Sequence, residues 1–173
     1  MTYFANPYDT TTNGFYFESF EEYAEKAAGL LNSSGAPVEE FMIDYIDGPD
    51  AQLFAACKVD QSNLEFWFDE VEGLKDHEKA ALFYLVSVSG QDMDEAVQTR
   101  GGGMRNIDDV SLFPGELKEA AEALFDECYL SEIPEHVRSY IDYEAFARDC
   151  RLSGDMYEFE FNGDTWTCTN ANS

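Results

Sequence analysis

The sequence predicts an α+β protein, and three observations carry that prediction. Aromatic residues make up 15% of the 173 residues and apolar residues 45%, enough to offset the entropy of ordering a chain. Short alternating runs at both ends read as strands, and the middle carries apolar residues at helical spacing. Two S-x-x-E sequences then mark helix starts, Ser19-Phe-Glu-Glu22 and Ser62-Asn-Leu-Glu65.

Residues 1–60 form a small N-terminal unit of sheet plus helix. Thr2–Asn6 and Gly14–Phe17 are aromatic-rich strands separated by a Thr/Asn/Asp turn. Ser19 opens a helix that runs to Leu31 and stops in Asn32-Ser-Ser-Gly35, and a strand follows over Val38–Ile46. Residues 61–100 form a helical unit. Leu64, Trp67, Phe68 and Val71 share one face, and Asp76 caps a helix whose apolar side is Ala80, Ala81, Phe83, Tyr84, Leu85 and Val88. A short helix over Asp92–Thr99 leads to Arg100-Gly-Gly-Gly103, which reads as a flexible joint.

Residues 101–173 form a C-terminal unit of short strands and helices. Asn106–Leu112 reads as a strand, and Pro114 as a helix start. The helix after it has an inner stripe of Leu117, Ala120, Ala121, Leu124, Phe125 and Cys128. Its outer row, Glu119, Glu122 and Asp126, is spaced i, i+3, i+7. A turn at Glu132-Ile-Pro134 precedes one or two helices through Asp142–Arg151. Tyr157–Phe161 alternates, Asn162-Gly163 is a hairpin turn, and Asp164–Thr169 returns.

Charge narrows the function. The chain has 36 acidic and 10 basic residues, a formal charge of −26 and a pI near 4.1. A net charge of about 2–8 suffices to keep a small domain soluble. The excess is not a tail: residues 1–60 carry 11 acids against 2 bases, and residues 61–100 carry 9 against 3. Such a surface repels phosphates, so direct nucleic-acid binding is disfavoured, whereas proteins that bind nucleic acid are attracted. On a helix, acids at i+4 and i+7 lie about 6 and 10 Å along the axis. DNA carries a charge per roughly 1.7 Å of duplex, so −26 corresponds to about 13 base pairs. Rigidly held carboxylates can therefore fill a DNA-binding groove.

Catalytic and metal chemistry find little support. His77 and His136 sit at polar helix starts, and no H-E-x-x-H, G-x-S-x-G or P-loop occurs. Pro49-Asp50 with Glu116-Leu-Lys118 loosely matches a nuclease pattern, which chance supplies readily among 36 carboxylates. Asp44-Tyr-Ile-Asp47-Gly-Pro-Asp50 lacks EF-hand spacing. No cofactor and no metal is expected. Cys57, Cys128, Cys150 and Cys168 form no C-x-x-C pair, no signal peptide or membrane span is evident, and buried reduced thiols in a cytoplasmic protein are expected.

Several segments resemble one family. Ile107-Asp-Asp-Val-Ser-Leu-Phe-Pro-Gly-Glu-Leu-Lys-Glu-Ala-Ala-Glu122 is similar to the entry of the C-terminal part of ArdA antirestriction proteins. So are Glu132-Ile-Pro-Glu-His-Val-Arg-Ser-Tyr-Ile-Asp-Tyr-Glu-Ala-Phe-Ala-Arg-Asp149 and Leu152-Ser-Gly154. Gly90-Gln-Asp-Met-Asp-Glu-Ala96, Tyr3-Phe-Ala-Asn6 and Asp44-Tyr45 also fit. Gly14-Phe-Tyr-Phe stands where Gly-x-Trp is usual, and Gly101–Gly103 looks like an insertion.

The resemblance implies an elongated, three-part homodimer carried by mobile genetic elements or phage. It would occupy the DNA groove of type I restriction–modification enzymes, contacting their DNA-binding subunits, with no catalysis. The acids carried over are Asp108, Asp109, Glu116, Glu119, Glu122, Glu132, Glu135, Asp142, Glu144 and Asp149, joined by Asp126 and Glu127 on the same helix. Glu65, Asp69, Glu70, Glu72, Asp76 and Glu78 are the central candidates. Within the set, Asp142 is expected to cap a helix, and Asp149 to pair with Arg148 or Arg151. The alternatives are a mimic aimed at another defence complex, such as a CRISPR or phage-exclusion system, and an acidic adaptor that sequesters basic DNA-binding proteins.

Overall fold

Strand β1 (Thr2–Pro7) turns Tyr3, Ala5 and Pro7 inward and Thr2, Phe4 and Asn6 outward. The computed structural model, which describes residues 1–98 and 105–172, places it at the centre of an antiparallel sheet ordered β2-β1-β3. Here β2 is Phe15–Phe17 and β3 is Phe41–Asp47. Tyr3 stands opposite Phe17 and Tyr45, with a bulge between Thr2 and Tyr3. Helix α1 (Phe20–Gly29) lays Tyr23 on the inner face, in ring contact with Phe15, Phe17 and Phe41.

Ser19 begins α1 as expected, its hydroxyl accepting the Glu22 N–H at 3.2 Å. The Glu22 carboxylate reaches one residue further back than a capping box requires, to the Glu18 N–H at 2.8 Å. The helix ends at Gly29 rather than Leu31, because Leu31 bridges to Pro37. The third strand starts at Phe41 rather than Val38, since the Gln61 amide binds the Glu39 carbonyl and the Phe41 N–H.

The centre holds α2 (Ala51–Ala56), α3 (Leu64–Phe66), α4 (Asp76–Ser87) and α5 (Met93–Val97). Ser62 does not cap. Its N–H and hydroxyl turn back to Asp60 at 2.7 and 2.6 Å, and Asn63 takes the N-cap position; a local side-chain turn has outcompeted the capping box. Helix α3 widens into a π turn over Trp67–Val71, and Leu64, Trp67 and Val71 are fully buried. Asp76 is the first residue of α4, not its cap; the Glu78 carboxylate accepts the Lys75 N–H at 2.8 Å. Helix α4 is buried over Lys79–Leu82, Tyr84 and Leu85, while Val88 stays exposed. The joint expected at Arg100–Gly103 lies outside the described residues.

The expected strand over 106–112 is mostly something else. The Asn106 side chain accepts the N–H groups of Asp108 and Asp109, and the Asp109 carboxylate accepts the Asn106 N–H, closing a 3-10 turn at Ile107–Asp109. Only Leu112–Pro114 forms a strand, β4. Pro114 therefore ends β4 instead of starting α6 (Leu117–Cys128), because Gly115, at φ +147°, makes the corner between them.

Two 3-10 turns, Leu130–Glu132 and Glu135–Tyr140, lead to α7 (Tyr143–Ser153). Asp142 caps α7 by accepting the Ala145 N–H at 2.9 Å. Strands β5 (Tyr157–Phe161) and β6 (Asp164–Cys168) turn at Asn162-Gly163, both with positive φ as such a hairpin requires. The second sheet is ordered β4-β6-β5.

One large core joins these parts. It runs from Tyr3 and Phe17 through Trp67 and Leu85 to Phe159, Phe161 and Cys168. Phe83 of α4 stacks on Phe161 at 5.0 Å, and the Gln52 side chain bonds the Glu160 carbonyl and the Asn162 N–H at the hairpin. A smaller cluster of Leu117, Ala120, Ala121, Ala147, Cys150 and Met156 lies between α6 and α7. Cys57, Cys150 and Cys168 are buried and reduced, with the Cys57 thiol pushed up to about 12 by burial. Cys128 is exposed, against expectation, since the inner stripe of α6 is fully buried only as far as Ala121.

Two polar contacts inside the large core should dominate its response to mutation. Lys79 Nζ meets Asp50 at 2.6 Å with both side chains buried. Lys79→Met leaves Asp50 buried and uncompensated, and should cost about 3–5 kcal/mol by urea unfolding. The Tyr3 hydroxyl accepts from Trp67 Nε1 at 2.9 Å and donates to Glu72 at 3.0 Å. Burial, followed by the Glu72 charge, raises its ionisation well above the ordinary 10.0. A raised folded-state value means stability is whole below the unfolded value and falls as pH climbs past it. Stability should therefore decline above pH 10.0. Tyr3→Phe should flatten that decline in alkaline melts while costing about 1–3 kcal/mol at neutral pH for the stranded Trp67 N–H.

Candidate functional site: the acidic surface

All 36 acids lie within the described residues, and Asp50 alone among them is buried. On α6, Glu116 occupies the N-cap position, Glu119, Asp126 and Glu127 are exposed, and Glu122 is half-buried. The rise per residue puts Glu122 about 4.5 Å and Asp126 about 10.5 Å along the axis from Glu119. Asp126 accepts the Tyr143 hydroxyl at 2.5 Å, joining α6 to α7, and that bond raises the phenol's ionisation. Glu144 pairs with Lys118 at 3.0 Å. Its hydrogen bond and charge, helped by Glu122 and Glu116, hold the Lys118 ammonium protonated above its ordinary range.

Other acids in the expected set have local duties. Asp142 and Asp109 cap turns of the chain, and Asp149 faces Arg148 at 3.8 Å. Glu78 caps α4, and Glu72 is turned toward Tyr3. The carboxylates of Asp108, Glu119, Glu127, Glu132 and Glu135 carry no hydrogen bond or ion pair among the described residues. Nor do those of Glu65, Asp69, Glu70 and Asp76, all exposed along the segment around the π turn. The expected acids thus divide into those that hold the fold and those that only face water.

Sequence reasoning missed Glu158. This β5 residue accepts the Leu117 N–H at 2.6 Å, satisfying the start of α6, and faces Arg151 at 3.7 Å. No local pattern announces a cap supplied from a distant strand. It also left out the exposed N-terminal acids Glu21, Glu25, Glu39 and Glu40, for which the charge count along residues 1–60 was the available signal.

The cations do little to neutralise this surface. Lys79 is buried, and Lys26 is held by Glu22 at 2.6 Å and by the Tyr16 carbonyl. Arg105 is spent on the Asp109 and Ala171 carbonyls and the Asn170 side chain, and Arg138 on the Ile133 carbonyl. His77 and His136 are exposed, and Asp50 of the loose nuclease pattern is engaged by Lys79. Among the described residues no group of three or more His, Cys, Asp or Glu is gathered to hold a metal, and no helix is long and apolar enough to cross a membrane. Helices, caps and an aromatic core therefore hold a dense field of ionised carboxylates facing water.

The family described as Antirestriction protein (ArdA) matches residues 8–162. No curated protein and no solved structure matches the chain. With most of its length matched, the chain belongs to the ArdA antirestriction family.

Proposed function

We propose that this protein is a DNA mimic that occupies the DNA-binding groove of type I restriction–modification enzymes and so blocks their action on incoming DNA. It inhibits by occupation and catalyses no reaction. The observation that carries this reading is that every acid except Asp50 is at least partly open to water on a chain of charge −26, while the described cations are largely paired or spent on carbonyls. A groove built for phosphates presents Lys and Arg to whatever enters it, and a rigid array of carboxylates meets the same groups. Membership of an antirestriction family supplies the class of victim. The partner is the set of DNA-binding subunits of such an enzyme, approached by a homodimer that doubles the length of duplex imitated.

The charge acts as a distributed array. Each exposed ion pair with the partner contributes about 0–1 kcal/mol, so Glu119→Gln alone should change inhibition less than about fivefold. Replacing Glu119, Glu127, Glu132 and Glu135 together by Gln should weaken it by about tenfold or more; these four make no structural bond among the described residues. The assay is displacement of labelled duplex from a purified type I methyltransferase over a range of salt. Displacement should fade as salt rises. Absence of displacement at low salt sinks the proposal, and loss of inhibition from one substitution contradicts a distributed mechanism. Equal binding to unrelated basic proteins would favour a general sequestering adaptor.

A further inference from the structure

The outward face of the first sheet gathers several exposed apolar side chains on an otherwise strongly charged molecule. Phe4 points out from β1 and meets Tyr16 of β2 across the register, ring centroids 4.8 Å apart. On its other side Phe4 stands opposite Asp44 of β3, and Asn6 stands opposite Met42. Ile46 follows two residues after Asp44 on the same strand. Tyr16 is 58% exposed, Met42 44% and Ile46 51%, so nothing in the described chain covers them. Gly14 keeps the patch continuous: a Cβ there would lie 2.6 Å from the Phe4 ring and 2.3 Å from the Ala5 carbonyl oxygen.

Charge decides what can sit on this face. Asp44 lies within the patch, and Glu18 and Asp47 are exposed at its edges. A second copy docked face to face would set these acids against their own counterparts, and an anionic lipid surface would be repelled in the same way. A protein surface with an apolar centre and a basic rim complements both features. On the basis of the DNA-mimic reading above, we propose that the Phe4–Tyr16–Met42–Ile46 face is an apolar anchor for the same basic partner, engaged where its DNA groove meets the adjoining protein surface.

The two kinds of contact have separable signatures. Carboxylates act at range, set the association rate and weaken with salt, whereas buried apolar contacts set the residence time and are insensitive to screening. Tyr16→Thr/Met42→Thr/Ile46→Thr tests the anchor, because Thr keeps strand preference at exposed positions. Binding of the full chain to a purified type I methyltransferase should then show a dissociation rate raised by about tenfold or more, with the association rate and the salt slope unchanged. An unchanged dissociation rate overturns the anchor while leaving the DNA-mimic reading intact. If wild-type protein fails to bind at low salt, both fall together. If sedimentation shows that the triple variant has lost a wild-type dimer, the face belongs to a second copy and the anchor is overturned. Should the triple variant unfold, the Tyr16→Thr/Met42→Thr pair is read by the same rates.

Discussion

A carboxylate taken out of water without a partner costs several kcal/mol, and a chain with 36 of them must arrange everything else around that cost. The acids go outside, where they repel one another and load the compact state with unfavourable charge. What opposes the repulsion is aromatic burial. Tyr3 packs on Phe17, Tyr45, Phe54 and Phe68, and Phe54 packs edge-on against Trp67. Large rings bury much area for few ordered torsions, which suits a chain with so many positions committed to charge. Asp50 is the exception that fits the rule, buried only with the Lys79 ammonium against it.

The same core gives the acids fixed positions. Phe83 stacks on the C-terminal hairpin, Gln52 bonds that hairpin's backbone, and Tyr3 reaches Glu72, so residues distant in sequence share one packed interior. Such a frame fixes the backbone positions from which the carboxylates project, and preorganisation of that kind favours binding. Part of the acid count is consumed in making the frame. Glu22, Glu78, Asp109, Asp142 and Glu158 satisfy backbone N–H groups, and Asp126 joins α6 to α7. Glu119, Glu127, Glu132 and Glu135 have no such task, which is why the proposed recognition is assigned to them.

Charge alone attracts any basic surface, and that generality is a weakness in an inhibitor. Coulombic attraction extends about a Debye length, roughly 8 Å at physiological salt, and discriminates poorly among cationic grooves. In the proposed mode of binding, the apolar sheet face adds a short-range, shape-dependent contact to that long-range field. Steering and anchoring would then reside on different side chains of one molecule.

How far the sequence could be read depended on how far apart the interacting groups lie in the chain. Ser19, Asp142 and the Asn162-Gly163 turn act on backbone within a few residues, and their roles were legible. Ser62, Asp76, Asn106 and Pro114 are equally local but ambiguous: Asp60 captured Ser62, Glu78 capped α4, Asn106 closed its own turn, and Gly115 moved the start of α6 beyond Pro114. The acidic character of the surface followed from composition, because ionised groups have nowhere else to go. Which acids are structural followed only where the contact is local, as for Asp142 and Asp149. Asp50 finds Lys79 across 29 residues, Glu158 finds Leu117 across 41, and Tyr3 finds Glu72 across 69. Those pairings exist only once the chain has folded, since no local pattern encodes a distance through space. Tertiary structure therefore decided the division of labour among carboxylates whose presence and exposure the sequence had already determined.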